Sequence, residues 1–207
     1  MLLMLANAGG HGSELMAEQC TGEGVGLEWH WNNDPSREAI LHKKWDYVVL
    51  QDRSGGPLEE PVSFVRHARL LDSEIQQQGA KTILYMTWAN RHRPDTQRAL
   101  AEAYTNLAKE LSAIIAPVGM AWEAVKRIAP DFDLYHRDGR HASPAGSYLA
   151  ACVFYSVLFD TSPEGLPGTF AYKKKNRLGL KKDQALLLQK AAWETVSGIS
   201  DCPDFGF

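Results

Sequence analysis

The sequence has few cysteines, no long apolar run and no excess of basic residues, and each shortage argues against a class of protein. Cys20, Cys152 and Cys202 are odd in number and widely spaced, so they predict neither a closed disulfide framework nor a cysteine-bound metal. The longest apolar runs, such as residues 149–155, are far shorter than the ~20 residues that span a bilayer, so we expect no membrane span.

The charge balance argues against a nucleic-acid partner. Lys and Arg number 22 against 25 Asp and Glu, which gives a net charge of -3, whereas phosphate binding needs a clustered basic face. The one basic cluster, in residues 173–182, is typical of a solvated loop before a helix. The start, MLLMLANAGG, lacks the basic segment of a signal peptide, and the sequence leaves the compartment and the oligomeric state open.

The length and the 44% hydrophobic content predict one globular domain over residues 1–207. Short apolar runs at 45–51, 82–87 and 118–122 are predicted as buried strands. Helical periodicity fills the intervals between them, with Asp95 as the expected cap of the second helix. Ser143 and Pro144 are predicted to start a further helix, and a C-terminal helix is expected at about 183–196.

Strands separated by helices of this length predict parallel pairing through right-handed crossovers. The expected fold class is therefore α/β, a three-layer α/β/α sandwich with a parallel sheet. Ligands of such sheets bind at the carboxyl ends of the strands, so the residues that follow each strand are the informative ones. These residues include Gln51 to Ser54, Trp88, Asn90 and the segment from Asp138 to His141.

The segment Asp138-Gly-Arg-His141-Ala-Ser-Pro carries the clearest chemical pattern. An Asp three residues before a His, in a turn that Gly139 makes tight, lets the carboxylate reach imidazole Nδ1 while Nε2 points elsewhere. That arrangement is the orienting acid and the base of a nucleophilic triad. On spacing alone, a surface turn with an incidental histidine is about equally well supported. His136 and His141 are five residues apart, but no third ligand follows at a convincing spacing, so we expect no metal.

Three stretches of the chain resemble the SGNH (GDSL-type) hydrolase superfamily, in a bacterial esterase-like branch. They are residues 24–31, 45–54 and 134–151, and with the helices between them they extend over nearly the whole chain. The last stretch matches the DxxH block of the family and is the most specific. The resemblance implies the flavodoxin-like topology of that family, with Asp138 as the orienting carboxylate and His141 as the general base and acid of a Ser-His-Asp triad.

The resemblance also implies an oxyanion hole. The family's second-block glycine falls at Gly24, or at Gly26 if the register slips, and a residue without Cβ suits close approach of an acyl group. The third block is normally GxND, whereas here the strand ends in Gln51-Asp52-Arg53-Ser54. Gln51 carries an amide donor at the corresponding strand end and is assigned to the oxyanion, although it could equally hydrogen-bond a neighbouring loop.

The nucleophile block is the main departure from the family, because no Gly-Asp-Ser or Gly-Asn-Ser occurs in the chain. One register takes residues 1–8 as the end of the helix after that block and 13–18 as the second strand, which places the first strand and its serine upstream of Met1. A second register takes Leu2 to Leu5 as the first strand and Ala6-Asn7-Ala8 as a degenerate block. Ser13 and Ser54 are the candidate substitutes for the nucleophile, and Ser54 lies nearer the expected site.

These features predict an ester hydrolase that removes a small acyl group from a carbohydrate or other small molecule and needs no metal or organic cofactor. Two alternatives stay open. A binding module would keep the cleft without the nucleophile. A flavodoxin-like nucleotide binder is less well supported, since no glycine-rich phosphate loop follows a strand.

The first register makes a prediction about the gene. We expect the codons upstream of Met1 to encode, in frame, an apolar strand that ends in Gly-Asp-Ser or Gly-Asn-Ser. Sequencing the genomic locus checks this, and a stop codon close upstream would contradict it.

Overall fold

The computed structural model describes residues 1–12, 15–173 and 176–200, and it describes their side chains except at 170–173, 176–178 and 200. The chain divides into two compact units. Unit 1 comprises the described residues of Met1–Ala17, Asn90–His92 and Pro117–Phe207. Unit 2 comprises Glu18–Ala89 and Arg93–Ala116.

The elements follow one another in chain order, with a 3-10 turn at Pro94–Thr96 before the sixth helix. The helices are α1 (Leu2–Ala8), α2 (Leu27–Asn32), α3 (Asp34–Leu41), α4 (Gly56–Glu59), α5 (Pro61–Gln77), α6 (Gln97–Leu111), α7 (Val118–Ile128), α8 (Pro144–Phe159) and α9 (Lys182–Ser200). The strands are β1 (Tyr47–Leu50), β2 (Lys81–Tyr85), β3 (Ile114–Ala116), β4 (Thr169–Lys173) and β5 (Asn176–Gly179).

Unit 2 is built on a parallel sheet in the order β1-β2-β3. Val49 of β1 lies opposite Ile83 of β2, and Ile83 lies opposite Ile114 of β3, so β-branched residues meet across the sheet. Parallel strands need long crossovers, and α5 and α6 supply them. The predicted α/β class with a parallel sheet flanked by helices is confirmed.

The helices of unit 2 bury the faces that the sequence periodicity indicates. Phe64 of α5 packs edge-on against Tyr104 of α6, with ring centroids 5.1 Å apart, and both side chains are buried. A buried hydrogen bond joins α5 to the sheet: the hydroxyl of Thr82 on β2 donates to the carboxylate of Asp72 on α5 at 2.6 Å. Such satisfied polar groups hold an element at a defined position.

Unit 1 is arranged around α8, which contacts α1, α7 and α9. Ser143 caps this helix, since its hydroxyl accepts the N–H of Gly146 at 3.2 Å, and Pro144 follows at the first helical position, as predicted. Every residue from Tyr148 to Ser156 is buried, so α8 is apolar all round and forms the core of this unit. The C-terminal helix α9 begins and ends beyond the predicted limits of about 183–196.

Several predicted elements are wrong. Residues 118–122 lie in helix α7, and the third strand is Ile114–Ala116 instead, because Pro117 ends the strand and the apolar residues after it recur with helical spacing. Asp95 does not cap α6; it lies in the 3-10 turn and pairs with Arg93.

The N-terminal segment bears on both registers proposed for it. Leu2 to Ala8 is helical, so the register that placed a strand at Leu2 to Leu5 is wrong. The strand predicted at 13–18 is absent from residues 15–18, whose side chains are mostly exposed. Ser13 lies outside the described residues.

Two glycines on helices of unit 1 should respond oppositely to alanine. A Cβ on Gly146 would come closer than 3.0 Å to the carbonyl oxygen of Leu134 and to the indole of Trp122, whereas one on Gly198 would meet open space. We expect Gly146→Ala to lower the free energy of unfolding by about 1–3 kcal/mol through overpacking. Gly198→Ala should raise it by about 0.5–1 kcal/mol by restricting the unfolded chain. Urea unfolding of both variants checks this, and equal effects would contradict the packing around Gly146.

Candidate functional site

A tight loop in unit 1 holds Asp138 and His141 together. The bridge between Tyr135 and Ala142 closes the loop, and the N–H of His136 donates to the carbonyl oxygen of His141 at 2.7 Å. Gly139 lies at its tip with a φ of 70°, in the left-handed region that favours glycine. The loop therefore turns back on itself and places Asp138 beside the imidazole of His141.

The carboxylate of Asp138 accepts hydrogen bonds from both backbone and side chains. Its Oδ1 accepts the N–H groups of Arg140 and His141 at 2.8 and 2.9 Å, and its Oδ2 accepts Nδ1 of His141 at 2.7 Å. These bonds, above all the one from the His141 side chain, hold the pKa of Asp138 well below its usual range. Because the carboxylate is ionised at neutral pH, Nδ1 of His141 is the donor in that bond, and in a neutral imidazole Nε2 is then the acceptor.

The histidine is open to solvent. The side chain of His141 is 80% exposed, and that of Asp138 is 38% exposed. A base that must reach a proton on another group needs such access. The structure thus brings together the two residues that the DxxH pattern indicated, and their catalytic roles stay predictions.

A second histidine shares the same carboxylate oxygen. Nδ1 of His136 lies 3.2 Å from Oδ2 of Asp138, so two imidazoles contact one carboxylate oxygen. The sequence analysis weighed His136 only as a metal ligand and missed this contact. A hairpin over residues 135–142 would have indicated it, because the strands of such a turn place His136 and His141 opposite each other.

The loop is anchored by residues 91 and 92 of the same unit. The backbone N–H of Arg91 donates to the carbonyl oxygen of Gly139 at 2.8 Å, and the guanidinium of Arg91 pairs with Asp133 at 2.5 Å. A Cβ on Gly139 would lie 3.3 Å from Cβ of Arg91 and 3.4 Å from Nε2 of His92. Glycine at 139 therefore lets this segment pack directly against the loop.

Unit 2 contains a pocket of about 350 Å³ at the carboxyl end of β1. Asp52 forms part of it and is only 6% exposed. Its Oδ2 accepts the N–H of Leu27 at 3.0 Å, which ties the start of α2 to the end of β1. Burial raises the pKa of Asp52, and the backbone N–H groups of Leu27 and Arg53 oppose that change.

Two glycines make room for the Asp52 carboxylate. A Cβ on Gly26 would lie 2.9 Å from Oδ1 of Asp52, and one on Gly56 would collide with the same oxygen. Sequence reasoning noted Asp52 only as a residue after a strand and gave it no role. The signal that could have indicated its role is an acidic residue directly after a buried strand with Gly55 and Gly56 soon after it; the approach of Gly26 comes only from the fold.

The three residues predicted for the oxyanion and substrate occupy different surroundings. Gly24 lines the pocket, is exposed and has a φ of 66°. Gln51 is exposed at the end of β1, and Ser54 is half-buried in the following turn; neither lines the pocket. Unit 2 therefore brings Gly24 and Asp52 to one cavity but not Gln51 or Ser54.

Trp122 and His30, which the sequence analysis also weighed, have packing or hydrogen-bond partners. Trp122 is buried and packs edge-on against Tyr135 at 4.9 Å, and Nδ1 of His30 lies 2.9 Å from the hydroxyl of Ser36.

Two kinds of feature are absent from residues 1–12, 15–173 and 176–200. In these ranges no three His, Cys, Asp or Glu side chains cluster as metal ligands would. Within the same ranges no helix combines the length and apolarity of a membrane span. Lys174 and Lys175 of the basic cluster, and Cys202, lie outside the described residues.

Comparison with known proteins gives two similar structures. The chain matches no protein-family model and no curated protein sequence. A DUF4886 family protein from Bacteroides uniformis ATCC 8492 superposes with a TM-score of 0.75 and 20% identity over 95% of this chain and 88% of that chain. A protein from Slackia heliotrinireducens that is proposed to be an SGNH hydrolase has a TM-score of 0.57 and 30% identity over 65% of this chain and 80% of that chain.

The lowered pKa of Asp138 predicts how acid affects the fold. A carboxylate whose pKa is depressed in the folded state contributes stability above its unfolded pKa, and that contribution is lost as the pH falls toward the folded value. Asp138→Asn should therefore be less stable than the native chain at pH 7, and the difference should shrink between about pH 5 and pH 2. Urea unfolding across this range measures it, with Asp131→Asn as an exposed control. A constant difference would contradict the prediction.

Proposed function

Because the chain has an SGNH-hydrolase-like α/β fold, we propose that it is an SGNH (GDSL-type) ester hydrolase that removes a small acyl group from a carbohydrate or other small molecule. The observation that carries the proposal is the 2.7 Å contact between Asp138 and Nδ1 of His141 in a loop fixed by backbone hydrogen bonds. An imidazole held by a carboxylate on Nδ1 and exposed at Nε2 is suited to general base catalysis.

In the proposed mechanism, Nε2 of His141 removes the proton from an attacking hydroxyl, and Asp138 stabilises the imidazolium that forms. The tetrahedral intermediate carries its negative charge on the former carbonyl oxygen, and His141 returns the proton to the leaving alcohol. The oxyanion donors that the family resemblance implies, the backbone N–H groups near Gly24 and the amide of Gln51, stay predictions. No metal or organic cofactor takes part in these steps.

The serine that attacks the ester is the one group of this mechanism that the family motif does not identify. The sequence has no Gly-Asp-Ser or Gly-Asn-Ser block, and Ser54, in the turn after β1, is the candidate that the described residues offer. The second candidate function follows from the same observation: a ligand-binding pseudo-hydrolase would keep the fold and the Asp138–His141 loop without a nucleophile.

Hydrolysis of p-nitrophenyl acetate separates these functions. We expect the native chain to exceed the buffer rate, and His141→Ala to lower kcat/KM by at least about 10²-fold, the usual contribution of a general base. Asp138→Asn should lower it as well, because the wrong tautomer of His141 is then favoured.

The matched control is His42→Ala, since His42 is also exposed and any surface imidazole hydrolyses this ester slowly. Equal rates for the native chain, His141→Ala and His42→Ala would reject the hydrolase and favour the binding module. If the His141-dependent rate appears, Ser54→Ala then tests that serine as the nucleophile.

A further inference from the structure

The pocket of unit 2 has a lining that suits one class of ligand. Its walls come from the segment between Gly24 and Asn32 and from residues 52–64, and its volume of about 350 Å³ suits a small molecule. Three of its side chains are carboxylates, one is a guanidinium and one is the partly exposed indole of Trp29. We propose that this pocket binds a small organic cation, an alkylammonium group, in contact with Trp29 and the carboxylate of Glu28.

The negative charge of the pocket exceeds the positive charge that could balance it. Arg53 pairs with Glu60 at 3.0 Å and also with Glu59 outside the pocket, so its one charge is shared between two carboxylates. The carboxylate of Glu28 accepts only a neutral hydrogen bond, from the hydroxyl of Ser63 at 3.0 Å; in the part of the chain that the structure describes, no Lys or Arg pairs with it.

The carboxylate of Asp52 lies in the same lining and contributes less to this field, because burial raises its pKa and the charge of Arg53 acts on it. Its Oδ2 accepts the N–H of Leu27, and among the described residues no cation lies at ion-pair distance from it. Walls of low dielectric constant concentrate the field of charges that line a concave surface. A small cation is therefore attracted to the part of this pocket that the Glu28 carboxylate lines.

Trp29 decides which kind of cation fits. Its side chain is 40% exposed on the pocket wall, and indole is the aromatic group that binds ammonium ions most strongly. A bare metal ion would need several ligands that converge at short distance, and the described carboxylates do not cluster in that way. An alkylammonium group spreads its charge over a larger volume and needs no such convergence.

Binding of choline to the full chain tests the proposal, with 3,3-dimethylbutan-1-ol as its uncharged isostere. Isothermal titration calorimetry at low ionic strength should give an affinity for choline at least about fivefold higher than for the neutral alcohol. Glu28→Gln should weaken choline binding by about fivefold or more and leave the alcohol unchanged, since it removes one charge at contact distance without changing the shape.

The matched control is Glu38→Gln, which removes a charge that is also exposed, on α3 outside the pocket, and should leave choline binding unchanged. Equal affinity for choline and the alcohol, no choline binding, or an equal loss in Glu28→Gln and Glu38→Gln would each overturn the proposal. The titration does not require turnover, so its result is independent of the proposed hydrolysis.

Discussion

Parallel pairing of β1, β2 and β3 is the constraint on which unit 2 depends. Parallel neighbours cannot be joined by a short turn, so each strand requires a helical crossover, and α5 and α6 fill that requirement with their apolar faces. The same pairing brings the carboxyl ends of all three strands to one edge of the sheet. Asp52 follows β1 at this edge, and its bond to the N–H of Leu27 fixes the wall of the neighbouring pocket.

A carboxylate with several donors organises each candidate site, yet the two environments have opposite effects. Asp138 is partly exposed and receives hydrogen bonds from two imidazoles and two backbone N–H groups, which lower its pKa. Asp52 is buried with backbone donors only, and desolvation raises its pKa. Asp138 is therefore suited to hold an imidazolium, whereas Asp52 is suited to fix backbone position within a pocket.

The sequence patterns gave wrong secondary structure where a short apolar run fits either a strand or a helix. The run from Val118 to Trp122 looks like a strand in isolation, but Pro117 ends a three-residue strand and the following apolar positions suit a helix equally well. The strand expected at 13–18 shows the same limit, because residues 15–18 have no strand partner among the described elements. Short strands form only when a neighbour supplies their hydrogen bonds, and a local pattern does not contain that neighbour.

The sequence by itself determined the α/β class, the amphipathic faces of α5 and α6, the Ser143 cap and the proximity of Asp138 and His141, because each depends on local spacing or capping. Only the tertiary structure decided that His136 shares the carboxylate of Asp138, that Gly26 and Gly56 surround Asp52, and that Gln51 and Ser54 lie outside the pocket. These contacts depend on how segments far apart in sequence pack, and the burial and hydrogen bonding that fix them arise only when the chain folds.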